Sequence, residues 1–351
     1  MRVAIVGCGL IGGKRAKSIA ALGHSVVAAA DAVPDRAAAL AKGYPGCTSS
    51  ADWREVVPRD DVDAVVVATI NDSLAAITHG AVRAGKHVLV EKPAARSADE
   101  LRPVAAAAQT AGVTVRVGYN HRFHPALRKA RELVDDGACG PLMFVRGRYG
   151  HGGRPGYDRE WRADPARAGG GELLDQGVHL IDLTRWFLGD VSDVSGFAGT
   201  FFWDMPVEDN GFVCLKHAGG QVGWLHASCS EWKNLFCLEI YGRTGKLQID
   251  GLGGSYGVER LAYYRMLPQM GPPETTIWEY PGEDGSWAAE FRDFERAIAG
   301  ETGIGASVDD AVAALDVVAA VYAQAGGAIG RGHAGGFIGK ASSAGSLATD
   351  Q

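Results

Sequence analysis

The chain has 351 residues, 46% hydrophobic and 22% charged, a length that suggests about two domains of ~100–200 residues each and a composition that excludes a wholly disordered protein. Its 35 Lys and Arg against 41 Asp and Glu leave a net charge of −6, which argues against a nucleic-acid binder and against an anionic membrane surface as partner. The six cysteines (Cys8, Cys47, Cys139, Cys214, Cys229, Cys237) show no CxxC pair and no zinc spacing, so reduced thiols, a cytoplasmic setting and no metal site are expected. The opening apolar run at 3–6 is too short for a signal segment, and no stretch reaches the ~20 apolar residues that a membrane span needs.

Over residues 1–120, short apolar runs at 2–6, 25–30, 62–68, 87–90 and 114–117 alternate with helix-period stretches at 12–22, 35–42, 73–84 and 98–111. Strands too apolar for a solvent face, alternating with helices, predict a parallel sheet covered on both sides that binds ligands beyond its strands' carboxyl ends. Past residue 120 the pattern changes. It predicts a helix at 124–136, a strand at 142–149, a Gly/Arg/aromatic loop at 150–167 and helical spacing at 169–188. Residues 191–280 are strand-rich, with turn signals at Ala218-Gly219-Gly220, Arg243-Thr244-Gly245 and 251–254, which predicts an open, mostly antiparallel sheet. Helices at 288–299 and 307–325 are expected to close this second, α+β domain, spanning 121–331, and the Gly/Ala/Ser-rich 332–351 to form a disordered tail.

Gly7-Cys8-Gly9-Leu10-Ile11-Gly12 follows the first strand and opens the first helix. Such glycines allow a tight turn, let backbone amides reach a pyrophosphate and let the helix pack closely on the strand, as in Rossmann domains. The helix N-terminus then turns its positive dipole end to the phosphates. Asp31 ends the second strand, nineteen residues beyond Gly12, where an acid accepts from the adenosine ribose hydroxyls. A carboxylate there repels a 2′-phosphate, Ala32 offers no cation, and Arg36 is expected to be a surface charge, so NAD is favoured over NADP.

His87-Val88-Leu89-Val90-Glu91-Lys92-Pro93 sets a lysine just beyond a strand's carboxyl end, at the ligand edge, with an exposed charge pair as the alternative for Glu91-Lys92. This segment, the glycine fingerprint, Val117-Gly118-Tyr119-Asn120-His121-Arg122-Phe123 and the run from Gly169-Gly170-Gly171-Glu172 through Asp175, His179 and Asp182 resemble the glucose-fructose oxidoreductase, inositol dehydrogenase and rhizopine-catabolism oxidoreductases, the Gfo/Idh/MocA family. The resemblance extends over roughly residues 1–330. Ile70 stands where many relatives have proline and Leu74 where they often have histidine. The resemblance implies that Lys92, Asp175 and His179 surround the reacting carbon of a sugar-like alcohol.

The residues agree with that implication. Asp175 and His179 are four apart and share a helix face, with Asp182 three further along as a weaker candidate that caps or orients. A histidine can take the hydroxyl proton while Asp175 holds the ring and stabilises its charged form, or Asp175 binds substrate directly. The Lys92 ammonium can stabilise the developing alkoxide. On this reading, oxidation rises with pH through the ionisation of His179.

Thr69, Asn71, Glu91 and Asn120 are further candidates for cofactor contact, beside Gly7, Gly9, Leu10, Ile11, Gly12, Asp31 and Lys92. Tyr119, Arg154, Tyr157 and Trp161, with Arg159 and Arg162, are candidates for the substrate wall. The acids Asp158, Glu160, Asp164, Glu208 and Asp209 would favour a cationic aminosugar if they faced the cleft, whereas the nearby arginines would favour a nucleotide diphosphate. Phe201-Phe202-Trp203 and the run from Trp224 to Trp232 are expected on the sheet. The leading expectation is an NAD-dependent dehydrogenase making a ketone from a secondary hydroxyl of a sugar, aminosugar or cyclitol, as in a 3-keto sugar step of aminoglycoside or nucleotide-sugar biosynthesis. An NAD-dependent glycosidase and a non-catalytic NAD-bound regulator are the alternatives. A broad open sheet also predicts a homodimer or homotetramer.

Overall fold

The computed structural model describes residues 1–325, so the tail expected over 332–351 lies outside the described residues. The first half builds β1 (Arg2–Val6), α1 (Leu10–Ala21), β2 (Ser25–Ala30), α2 (Pro34–Ala41), β3 (Thr48–Ser50), α3 (Trp53–Val56), β4 (Ala64–Val67), α4 (Asn71–Arg83), β5 (His87–Glu91), α5 (Ala98–Ala111) and β6 (Val115–Gly118). The six strands are parallel in the order β3-β2-β1-β4-β5-β6. That order reverses between β1 and β4, which opens a crevice at their carboxyl ends. The predicted helix at 98–111 matches α5 at both ends because Ser97 caps it, accepting from Glu100 N–H, and Gly112 closes it at φ 66°. The sequence pattern missed β3 and α3, which are too short and too polar to show a period.

The second half adds α6 (Pro125–Asp135), β7 (Leu142–Gly150), α7 (Pro165–Ala168), α8 (Val178–Leu188), β8 (Val191–Gly199), β9 (Asn210–His217), β10 (Val222–Ser228), β11 (Leu235–Gly242), β12 (Gly245–Asp250), β13 (Glu259–Arg265), β14 (Glu274–Tyr280), α9 (Ser286–Ile298) and α10 (Val308–Gln324). Its eight strands run β14-β13-β12-β11-β7-β10-β9-β8, antiparallel except for the β7–β10 pair. Val145, Leu225, Leu238 and Ile240 point inward in period two, and α8 covers them with Leu180, Ile181 and Leu183. Gly147 permits that approach, since a Cβ there would lie 3.0 Å from Leu180 and 3.1 Å from Leu225. The opposite face is open, with Phe197 76% and Trp224 59% exposed.

Two expectations change here. The last helices do not simply close the second domain but return to the first. Phe291 and Phe294 of α9 join Val3, Ile5, Ile19 and Leu89 in one core, and α10 lies against α5, α8 and β8. The aromatic residues also separate: Trp224 is on β10, whereas Phe201, Phe202, Trp203 and Trp232 lie in loops, Trp232 being 84% exposed. Asp209 pins the first of those loops by accepting from the N–H groups of Phe201, Phe202 and Trp203 at 2.7–2.9 Å. Among the described residues no helix is long and apolar enough to cross a membrane.

Candidate active site

A cleft of about 1440 Å³ runs from the carboxyl ends of β1, β2 and β4 to the inner face of the second sheet. At its first end the three fingerprint glycines meet three different demands. Gly7 adopts φ +94°, and a Cβ on it would lie 2.4 Å from Ala68 O. A Cβ on Gly12 would lie 1.9 Å from Gly7 O, so Gly12 sits beneath the turn and does not line the cleft, contrary to a direct cofactor contact. Gly9 has open space before it and, among the described residues, no side chain caps α1, so the N–H groups of its first turn can face an anion. Leu10 and Ile11 border this end. Asp31 lies where the ribose reading requires, its carboxylate accepting from the N–H groups of Cys8 and Val33, each at 2.8 Å. Arg36, expected as a plain surface charge, also borders the cleft there. These groups fit a dinucleotide.

Thr69, Ile70, Asn71, Glu91 and Asn120 all line the middle of the cleft. Three of them also hold it together. Asn71 donates to Ala168 O at 2.9 Å and Asn120 to Ser286 Oγ at 2.9 Å, both reaching into the second half of the chain. Glu91 accepts from the buried Arg15 guanidinium at 2.7 Å, and Arg15 also pairs with Glu290 of α9, whose carboxyl is pushed up to about 7 by burial despite that pairing. Leu74 is fully buried in the core.

At the far end Lys92, Asp175 and His179 come together. Lys92 follows β5 at a turn closed by Ala94 N–H on Glu91 O at 2.9 Å. Asp175 lies in a single wide turn of π type, Leu173–Gly177, that runs into α8 and interrupts the continuous helix predicted over 169–188. The Lys92 ammonium donates to Asp175 Oδ1 at 2.5 Å and to its main-chain O at 2.7 Å, and Arg162 donates to Oδ2 at 3.1 Å. Burial opposes ionisation of Asp175, but Lys92 and Arg162 hold its carboxyl well below the usual range.

Asp175 therefore does not hold the His179 ring, contrary to the expectation. Both its oxygens are engaged by cations, and His179 stacks instead on His121, with ring centroids 3.8 Å apart and planes inclined by 15°. Tyr119 and Tyr149 meet the same ring edge-on. Burial, then the charge of Lys92, lowers the His179 pKa well below its ordinary value, outweighing the pull of Asp175. Burial and the neighbouring histidines do the same to His121. The ring is accordingly neutral at neutral pH, and the predicted ionisation moves to acid.

The remaining candidates divide. Arg154, Tyr157, Trp161 and Arg162 line the cleft, as does Glu160, which pairs with Arg154 at 2.7 Å. Tyr119 is fully buried behind His179 and does not reach the cleft, which corrects its placement on the substrate wall. Arg159 points outward beside Asp158. Asp164 caps α7, and Glu208 and Asp209 are buried in structural hydrogen bonds, so none of these acids faces a substrate. Asp182 pairs with the buried Arg122. Sequence reasoning passed over His121, His151 and Glu172, although His121 and Glu172 lie inside the two motifs singled out.

Residues 1–119 match the family model "Oxidoreductase family, NAD-binding Rossmann fold", and residues 127–248 match "GFO/IDH/MocA C-terminal domain". A levoglucosan dehydrogenase of Pseudarthrobacter phenanthrenivorans is 30% identical over 245 residues, 62% of this chain and 63% of its own length, a little under two thirds. A 1,5-anhydro-D-fructose reductase of Ensifer adhaerens is 36% identical over 234 residues, 66% of this chain and 69% of its own. The crystal structure of GenD2 from gentamicin A biosynthesis in complex with NAD superposes with a TM-score of 0.79 at 27% identity, covering 93% of this chain and 94% of the other.

The geometry at Asp31 yields a prediction. Calorimetric titration should show NAD binding more tightly than NADP, and Asp31→Ser should narrow that gap about tenfold or more, since each ~1.4 kcal/mol of lost discrimination is a factor of ten. Equal affinities in the unmodified protein would contradict the assignment.

Proposed function

The chain belongs to the Gfo/Idh/MocA oxidoreductase family, and from that premise we propose that it is an NAD-dependent dehydrogenase that oxidises a secondary hydroxyl of a sugar, aminosugar or cyclitol to a ketone. The observation that supports this most is the pairing, at one end of the cleft, of a lysine held by a carboxylate with an uncharged histidine. Bound nicotinamide supplies the hydride acceptor. His179 takes the hydroxyl proton, and because its Nδ1 is buried without a partner among the described residues, Nε2 is the nitrogen left to receive it. Lys92 stabilises the developing alkoxide, and its two contacts with Asp175 fix where that charge sits. Asp175 positions both Lys92 and Arg162, and Tyr157, Trp161 and Arg162 form the wall that a sugar ring would meet.

The same reading divides the chain near residue 120 into nucleotide-binding and substrate-binding parts and, on its six unpaired cysteines, places it in the reducing cytoplasm. It also gives the open sheet face, with Phe197 and Trp224, to a second copy in a homodimer or homotetramer. Light scattering at micromolar concentration should return a mass of at least two chains; a monomeric mass would contradict this assembly.

Removal of the base gives the sharper prediction. His179→Ala should lower turnover ~10²–10⁴-fold, the usual worth of one general base, with NAD affinity little changed. Lys92→Ala should be comparably damaging, and Lys92→Arg should not restore it, since a planar fork is no substitute for a compact ammonium. A lowered histidine pKa disfavours the charged ring, so turnover should stay level from neutral to alkaline pH and fall only in acid, below the ordinary histidine range. A rate profile that rises through about pH 6.5, an unperturbed histidine, would contradict the buried neutral ring.

A further inference from the structure

Three buried carboxyls pack around the glycine turn 169–171, and they are not alike. Glu208 accepts from the N–H groups of Gly171 at 2.9 Å and Leu173 at 3.1 Å and from the Tyr322 hydroxyl at 2.7 Å. Asp175 has Lys92 and Arg162. Among the described residues Glu172, 2% exposed, has no hydrogen-bond donor, and its Oε1 is buried without a partner. Buried polar groups are almost always hydrogen-bonded, and leaving a carboxylate dry and unpaired costs so much that the exceptions mark sites with a task.

The surroundings show what that task is. Glu172 lines a recess of about 10 Å³ with Asn71, Tyr157, Trp161, Arg162 and Asp175, five residues that also line the main cleft. That is room for one water-sized group and no more. His151 stands behind: its Nδ1 accepts from Gly153 N–H at 2.9 Å, so its proton is on Nε2, which points at Glu172 Oε1 but stops at 3.5 Å, short of a good hydrogen bond. Arg162 is engaged by Asp175.

We propose that Glu172 is a specificity-determining residue that receives a primary amino group of the substrate in this recess. The proposal rests on the dehydrogenase reading and narrows its substrate to an aminosugar. An ammonium brings several N–H donors and a compensating charge to a buried carboxylate, whereas a hydroxyl brings one donor and no charge. Burial, then Asp175, raises the Glu172 pKa well above its ordinary value, opposed by Lys92 and Arg162. Burial therefore favours the protonated form of free Glu172, and an arriving ammonium favours its carboxylate.

The test is calorimetric titration of the NAD-loaded protein with 2-, 3-, 4- and 6-amino-deoxyglucoses, each against D-glucose, in two buffers with different heats of ionisation. At least one aminosugar should bind about tenfold or more tightly than glucose, the worth of one charge-assisted hydrogen bond, and should release protons on binding. Glu172→Gln and Glu172→Ala should each abolish the preference and the proton release while leaving NAD affinity intact, which also reports that they fold. No preference for any aminosugar, or a preference that survives both variants, overturns the proposal. NADH formation from the aminosugars, D-glucose and myo-inositol in parallel samples reports on the dehydrogenase reading separately: no NADH from any of them overturns that reading, and NADH without an aminosugar preference overturns only the Glu172 proposal.

Discussion

Asp175 lies between Lys92 and Arg162, one from the end of β5 and the other from the loop before α7, and the rest of the cleft is arranged around that contact. Removing either cation would leave the largely buried Asp175 carboxylate with one partner fewer, so the three residues act as a unit. Two cations hold the carboxylate ionised against burial. Burial and the field of Lys92 then outweigh the remaining pull of that carboxylate on His179, whose ring stays neutral. One contact thus produces a fixed positive charge beside a neutral base, the complementarity that alkoxide formation calls for.

The two halves of the chain are tied together where this contact needs rigidity. Asn71 and Asn120 each cross to the second half by one hydrogen bond, and Arg15 binds α9 through Glu290 to Glu91 at the end of β5, just before Lys92. The π turn at Leu173–Gly177 turns Asp175 toward Lys92 while His179 remains on α8. Gly170 and Gly171 make that turn possible, since a Cβ on either would lie within 2.2 Å of Tyr322 Oη or Glu208 O.

Much of this was legible in the sequence because it follows from local rules. Val/Ala runs separated by helix periods give the parallel sheet, and Gly7-Cys8-Gly9 with Asp31 gives the nucleotide end. What stayed hidden depends on distant pairing. A four-residue spacing puts Asp175 and His179 on one face of a regular helix, but a wide turn breaks that register and lends Asp175 to Lys92 instead. Tyr119 belongs to a recognisable motif, yet its backbone position beyond β6 buries the ring behind His179. The return of α9 onto β1 and β5 needs contacts between Phe291 or Phe294 and residues roughly 200 to 290 positions away, which no window of sequence reports.

The central claim is that His179 is neutral because burial and the charge of Lys92 outweigh the pull of Asp175, whose oxygens are engaged by Lys92 and Arg162. The most direct measurement is the imidazole ¹⁵N spectrum of His179, assigned by comparison with His179→Ala and followed from pH 8 to about pH 5, spanning the ordinary histidine pKa of about 6.5. The account predicts nitrogen shifts of a neutral ring that hardly move across the range. A ring that titrates near pH 6.5 to an imidazolium, with a proton shared with Asp175, would contradict it.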